Sequence, residues 1–247
     1  MNDNYDLSYA NAWQIKMFFF CQSCIYLFSF SGELVQGLHF PNSSAILARS
    51  LTPNARFIVI LRDPVTRIYS QYKMHQAVSP QHFHEGVTNA INEFNACVAK
   101  EGYSERCCYG NLQSYSQNRI GRSSFVYHLR MGIYHVYLRE WLSVFPNKNR
   151  FLIIKAESYY TNMYGYITDT VFPFLELAPV HDKKTKECIE DRPPAHVVSR
   201  KLKKDPNAVD KSYSAPMLDV TKQMLYAFYE PHNKALAQLL GDNQWTW

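Results

Sequence analysis

Five consecutive apolar residues, Phe57-Ile58-Val59-Ile60-Leu61, run directly into Arg62-Asp63-Pro64. A short β-branched run without polar alternation marks a parallel strand covered by helices on both faces. Asp63 then offers an N-cap carboxylate, and Pro64 the fixed φ of a first helical position. A helix is therefore expected to begin at once and to run through Ile68, Tyr69 and Tyr72 to about Ala77. A strand delivering straight into a helix belongs to an α/β fold, in which ligands bind beyond the C-terminal ends of the strands. The chain has 247 residues, 47% of them hydrophobic. That suits one α/β domain with a full core and excludes a disordered chain.

Other elements follow from periodicity. Val87, Ala90, Ile91, Phe94 and Val98 share one face of a helix expected over 85–99. Leu129, Ile133, Val136, Tyr137, Trp141 and Val144 recur at helical spacing, so one long helix is expected from Val126 to Phe145. Phe151-Leu152-Ile153-Ile154 reads as a second buried strand. A shorter helix is expected over 163–176, a basic loop over 178–215, and a helical pair over 216–240, broken at Pro231 and closed by Gly241. Residues 1–44 form an atypical N-terminal segment, and the domain proper spans 45–247. The apolar block at 15–30 falls short of the roughly 20 apolar residues of a spanning helix.

Charge narrows the function classes. The formal net charge is +5, which suits an anionic ligand or polymer, but no run of five or six Lys or Arg appears. Nucleic acid is therefore not an expected partner. Cys21 and Cys24 form a lone CxxC without a second pair, and His82 and His84 form HxH without further ligands in register. No metal is expected. A G-x-x-x-x-G-K-[ST] loop is absent, which disfavours a P-loop kinase.

The stretch from Phe57 to His75 carries the chemistry. Arg62 stands at a strand's C-terminal end with a guanidinium fork suited to phosphate. A helix N-terminus follows, whose amides and dipole favour anions, and Ser70 on that helix adds a hydroxyl donor. These parts describe a phosphate pocket. The alternative is a structural Arg–Asp turn pair.

The string Leu61-Arg62-Asp63-Pro64-Val65-Thr66-Arg67-Ile68-Tyr69-Ser70-Gln71-Tyr72 resembles the 3′-phosphate motif of sulfotransferases that use 3′-phosphoadenosine 5′-phosphosulfate (PAPS). Further matches are Phe83–Val87, Phe94–Cys97, Gly132–Phe145, Phe228–Asn233 and Leu236–Leu240. They point to the carbohydrate sulfotransferases, nearest the branch that sulfates the 6-hydroxyl of N-acetylgalactosamine 4-sulfate in chondroitin sulfate. The resemblance covers about Ala45 to Trp247. It implies a three-layer fold like that of the P-loop NTPases, with a central parallel sheet. It also implies PAPS as co-substrate, a sulfated glycosaminoglycan as acceptor, and the Golgi lumen as location, with a membrane anchor in the family. Arg62 and Ser70 would hold the 3′-phosphate, and Arg200 and Lys201 would lie on a basic loop over the nucleotide. His75 would stand where the acceptor approaches and is the candidate acid or base. A Cys97–Cys108 disulfide and glycosylation at Asn42 suit an oxidising lumen.

One departure stands out. The family's Pro-Lys-x-Gly-Thr-Thr loop, which cradles the 5′-phosphosulfate, has no match in residues 1–56. The reading is of a chain truncated at its N-terminus, lacking that loop and the first strand. Phe57–Leu61 would then present an unpaired sheet edge. An inactive fragment, a non-catalytic glycosaminoglycan- or nucleotide-binding remnant, and a heparan sulfate sulfotransferase are the alternatives.

Overall fold

The computed structural model describes residues 16–20, 43–75, 79–102, 107–108, 123–178, 183–190 and 215–247. The chain divides into two compact units. The first comprises Met1–Ser31, Asn54–Arg62 and Asn149–Lys211, and the second Gly32–Pro53, Asp63–Lys148 and Ser212–Trp247.

The first unit holds a three-stranded sheet in the order β1 (Lys16–Phe20), β2 (Arg56–Leu61), β3 (Phe151–Lys155). The parallel pairing of β2 and β3 runs in register from Phe57↔Phe151 to Leu61↔Lys155. Phe57, Ile58, Val59 and Leu61 are all buried, as the unbroken apolar run requires. In β3 only Ile154 is fully buried, so this strand is less enclosed than its sequence implies. β1 pairs antiparallel with β2, from Lys16↔Ile60 to Phe20↔Arg56. The unpaired edge expected for β2 is thus corrected: β1 satisfies its backbone groups on that side. A run of helical turns follows β3: Ala156–Thr161, Met163–Tyr166, a π-turn at Ile167–Val171 and Phe172–Phe174. Helix Lys183–Glu190 also belongs to this unit. Arg56 fastens the last of the turns by binding the Phe174 carbonyl and the Glu176 carboxylate.

The second unit is helical. It contains α1 (Ser43–Leu51), α2 (Pro64–His75), α3 (Pro80–Glu101), α4 (Ser123–Arg130), α5 (Tyr134–Val144) and α6 (Asp219–Leu240). Its core gathers the apolar faces of α2, α3, α4 and α6, with Val65, Ile68, Phe83, Val87, Phe94, Leu129 and Leu225 enclosed. Burying each such side chain contributes about 1.5–3 kcal/mol relative to exposure. α3 starts earlier than its periodicity implies. Ser79 caps it by accepting from the His82 N–H at 3.0 Å, and Pro80 occupies the first position.

Three expectations are corrected here. The long helix over 126–145 is two, α4 and α5, separated at Met131–Ile133. A Cβ on Gly132 would lie 2.7 Å from the ring of Tyr229, so α6 packs directly onto this backbone. Replacing Gly132 with Ala should cost about 1–3 kcal/mol by overpacking. A lower urea midpoint at an unchanged slope would report it. The pair over 216–240 is one continuous helix despite Pro231. Leu225 and Tyr229 before the proline and Leu236 after it are all buried, so packing on both sides outweighs one lost helical hydrogen bond. Gly241 ends the helix with φ 70°, as its position suggests.

The third correction is the disulfide, which joins Cys97 to Cys107 rather than to Cys108. Residues 107 and 108 lie in one helical turn, where successive side chains diverge by about 100°. Only one of them can face α3. The Cys108 thiol is turned into the core, near the Tyr137 hydroxyl and the Arg130 guanidinium.

Candidate PAPS 3′-phosphate site

Arg62 closes the first unit. It is partly exposed and follows β2 directly. The Leu61↔Lys155 register brings the C-terminal ends of β2 and β3 level, so Arg62 shares that edge with the turns after β3. There its charge acts on the Tyr160 hydroxyl, whose pKa burial pushes up and Arg62 draws back down. The guanidinium therefore stands at the sheet edge where α/β folds bind ligands.

Asp63 opens the second unit. Its Oδ1 accepts from the Val65 N–H at 3.0 Å and its Oδ2 from the Thr66 N–H at 3.4 Å, which makes it the cap of α2. The Tyr226 hydroxyl donates to the same Oδ2 at 3.2 Å. This changes one part of the pocket expected from sequence. The first amides of α2 are committed to Asp63 and its negative charge, so they are not the phosphate's donors. A phosphate bound here would have to take its donors from side chains.

α2 supplies one on a single stripe. Thr66, Ser70 and Lys73 are partly exposed, whereas Val65, Arg67, Ile68, Tyr69, Gln71 and Tyr72 are buried. Positions i, i+4 and i+7 lie along one helix face. Among the described residues the Ser70 hydroxyl takes no hydrogen bond, so it is available to a ligand. The Lys73 ammonium lies 5.1 Å from the centroid of the Tyr69 ring. Two donor types suited to phosphate, a hydroxyl and an ammonium, thus share the face. Arg62 and Ser70 belong to different units, and each is placed within its own.

The remaining candidates fall as follows. His75 is the last residue of α2, and its side chain is outside the described residues. Arg200, Lys201 and Asn42 also lie outside them. His82 and His84 turn to separate partners: His82 Nδ1 lies 3.1 Å from the Tyr72 hydroxyl, and His84 Nδ1 lies 2.8 Å from Thr221 Oγ1. His135 is buried and stacks on His232, with ring centroids 5.4 Å apart. Sequence reasoning missed Arg67. It is buried in the motif at 3% exposure and binds Gln71 Oε1 at 3.0 Å and the His128 carbonyl. The available signal was its helical phase, which places it beside Ile68 and Gln71 on the buried side.

The human protein named carbohydrate sulfotransferase 15 is 39% identical over 197 residues, which are 79% of this chain and 31% of that protein. The mouse protein of that name is 37% identical over the same shares. A protein of that name from Nototodarus sloanii is 29% identical over 172 residues, 70% of this chain and 95% of that one. The chain spans about a third of the length of the mammalian relatives it matches. In fold it is similar to a crystal structure of a sulfotransferase from Alicyclobacillus acidocaldarius, with a TM-score of 0.50 and 17% identity over 83% of this chain and 62% of that chain. Residues 34–192, which include β2, the capped start of α2 and β3, match the family described as the sulfotransferase domain, and the chain belongs to that family.

Proposed function

We propose that this chain serves sulfuryl transfer from PAPS to a glycosaminoglycan hydroxyl, and that it carries the 3′-phosphate half of the donor site. One observation supports this most directly. A buried strand ends at Arg62, and the helix that follows is capped by its own Asp63 while it presents the open hydroxyl of Ser70. In this reading Arg62 and Ser70 grip the 3′-phosphate, and Arg200 and Lys201 add charge over the nucleotide. The acceptor is the 6-hydroxyl of N-acetylgalactosamine 4-sulfate in chondroitin sulfate, a choice supported by resemblance to the proteins named carbohydrate sulfotransferase 15. The Golgi lumen is the matching compartment, and a disulfide suits it. Among the described residues no helix is long and apolar enough to cross a membrane.

Arg62→Ala is expected to weaken binding of adenosine 3′,5′-bisphosphate by about 1.5–3 kcal/mol, the scale of a charged hydrogen bond. Titration calorimetry on wild type and variant measures it. Equal affinities would return Arg62 to the role of a structural turn residue.

A second reading has one specific feature in its favour. No Lys-x-Gly-Thr-Thr loop occurs in the sequence, so the 247 residues could bind nucleotide or glycosaminoglycan without transferring sulfate. Labelled PAPS offered with chondroitin 4-sulfate, and separately with heparan sulfate, distinguishes transfer from binding and one acceptor from the other.

A further inference from the structure

Arg67 lies within the phosphate motif yet points away from the stripe that bears Ser70. Only 3% of it is exposed, and among the described residues no carboxylate pairs with it. An arginine stays protonated even when buried. Its partners are therefore informative. Nη1 donates to Gln71 Oε1 one turn along α2, and Nη2 donates to the His128 carbonyl. That carbonyl lies in the last turn of α4, where main-chain oxygens lack helical donors and the helix dipole is negative. The Tyr229 hydroxyl donates to the next carbonyl, that of Leu129, at 2.7 Å. It also lies against Arg67, whose charge opposes the upward shift that burial imposes on the tyrosine. Gly132 allows this approach, since any Cβ there would meet the Tyr229 ring.

At the end of α4 the Leu129 carbonyl is thus taken by the Gly132 N–H and the Tyr229 hydroxyl, and the His128 carbonyl by Arg67, which acts as a plug. A plug of this kind fixes both the rotation and the height of α2. The same helix is held at its start by the Tyr226 hydroxyl on Asp63. Ser70 stands three residues after Arg67, and side chains at i and i+3 are about 5–6 Å apart at Cβ. The guanidinium itself is turned the other way, toward Gln71 and the His128 carbonyl, so its link to Ser70 runs through the backbone of α2.

We propose that Arg67 is a positioning residue of the 3′-phosphate half-site: by docking against the carbonyl end of α4 it sets Ser70 toward the phosphate. This rests on the reading of Ser70 as a phosphate donor.

The test compares two ligands on the full chain by titration calorimetry. Adenosine 3′,5′-bisphosphate engages the half-site, whereas adenosine 5′-monophosphate lacks the 3′-phosphate. Arg67→Met should lower affinity for the bisphosphate about tenfold or more, the factor that corresponds to one charged hydrogen bond. Affinity for the monophosphate should be unchanged. Arg67→Lys keeps the charge without the fork and should recover part of the loss. A purely structural role would lower both affinities together, and that result would overturn the proposal.

If Arg67→Met does not fold, Arg67→Lys and Ser70→Ala are combined in a double-mutant cycle. Non-additive losses for the bisphosphate are expected, and additive losses would overturn the proposal. A wild-type chain that binds both ligands equally would refute the functional reading itself. A chain that prefers the bisphosphate, and keeps that preference in Arg67→Met, would refute only the role of Arg67.

Discussion

A polypeptide of residues 1–247, given labelled PAPS and chondroitin 4-sulfate, is expected to transfer sulfate on the order of a thousandfold more slowly than a sulfotransferase that carries the Lys-x-Gly-Thr-Thr loop. In the proposed reading Arg62 and Ser70 hold the 3′-phosphate, but the reactive sulfuryl group hangs from the 5′-phosphate at the other end of the ribose. In-line attack by a sugar hydroxyl spreads negative charge over the bridging and sulfuryl oxygens. Positioned amides and cations must be aimed there, and their effect is largest in a site that excludes water. No such loop occurs in the sequence, and the first amides of α2 already bind Asp63. Loss of several charged or amide donors, at about 1.5–3 kcal/mol each, amounts to roughly 5 kcal/mol or more. Nucleotide binding should survive, because it draws on the other half of the donor. Counting label in the polymer measures the first property, and calorimetry with adenosine 3′,5′-bisphosphate the second. Turnover matching a loop-bearing homologue would mean that residues outside the motif supply the missing donors.

The sequence announced what depends on neighbours in the chain. The apolar run at 57–61 and the Asp63-Pro64 cap are local signals, and strand β2 and helix α2 follow them closely. The apolar face of α3 was equally plain, and Val87, Ala90 and Phe94 of that face are buried. Features set by distant partners were not legible. The break between α4 and α5 answers to Tyr229, nearly a hundred residues away, whose ring takes the space over Gly132. Pro231 looked like a helix breaker because its own contribution is unfavourable, yet buried residues on both sides hold α6 together. The disulfide partner of Cys97 depends on the helical phase of two adjacent cysteines, which their spacing does not encode. At the proposed site, residue types suggested Arg62 and Ser70 as candidates. They did not show that Asp63 spends the helix amides on itself, or that Arg67 points inward to the end of α4.

Stability should fall steeply on mild acidification because of one buried pair. His135 on α5 and His232 on α6 stack with centroids 5.4 Å apart, and each is less than a tenth exposed. Phe94 and Phe228 flank His232 with apolar rings. Burial lowers the pKa of His135 to about 4, helped by the Arg139 charge. Burial also lowers that of His232 to about 4, helped by His135 itself. In the unfolded chain both rings titrate near pH 6.5. The unfolded state therefore binds more protons between these values, and unfolding free energy rises with pH there. The contribution is complete above about pH 6.5 and is lost as pH falls toward 4. At pH 5 each ring costs about 2 kcal/mol relative to neutral pH, or about 4 kcal/mol for the pair. That is a large share of the roughly 5–15 kcal/mol that holds a domain folded. Urea unfolding at pH 7.5, 6.5, 5.5 and 5.0 should show a falling midpoint. The variant His135→Asn with His232→Asn should begin less stable and lose far less over the same range, since the two buried rings that resist protonation are gone. Parallel pH profiles for the two proteins would assign the acid sensitivity to other groups, and the stacked pair would then be carrying its protons in the folded state.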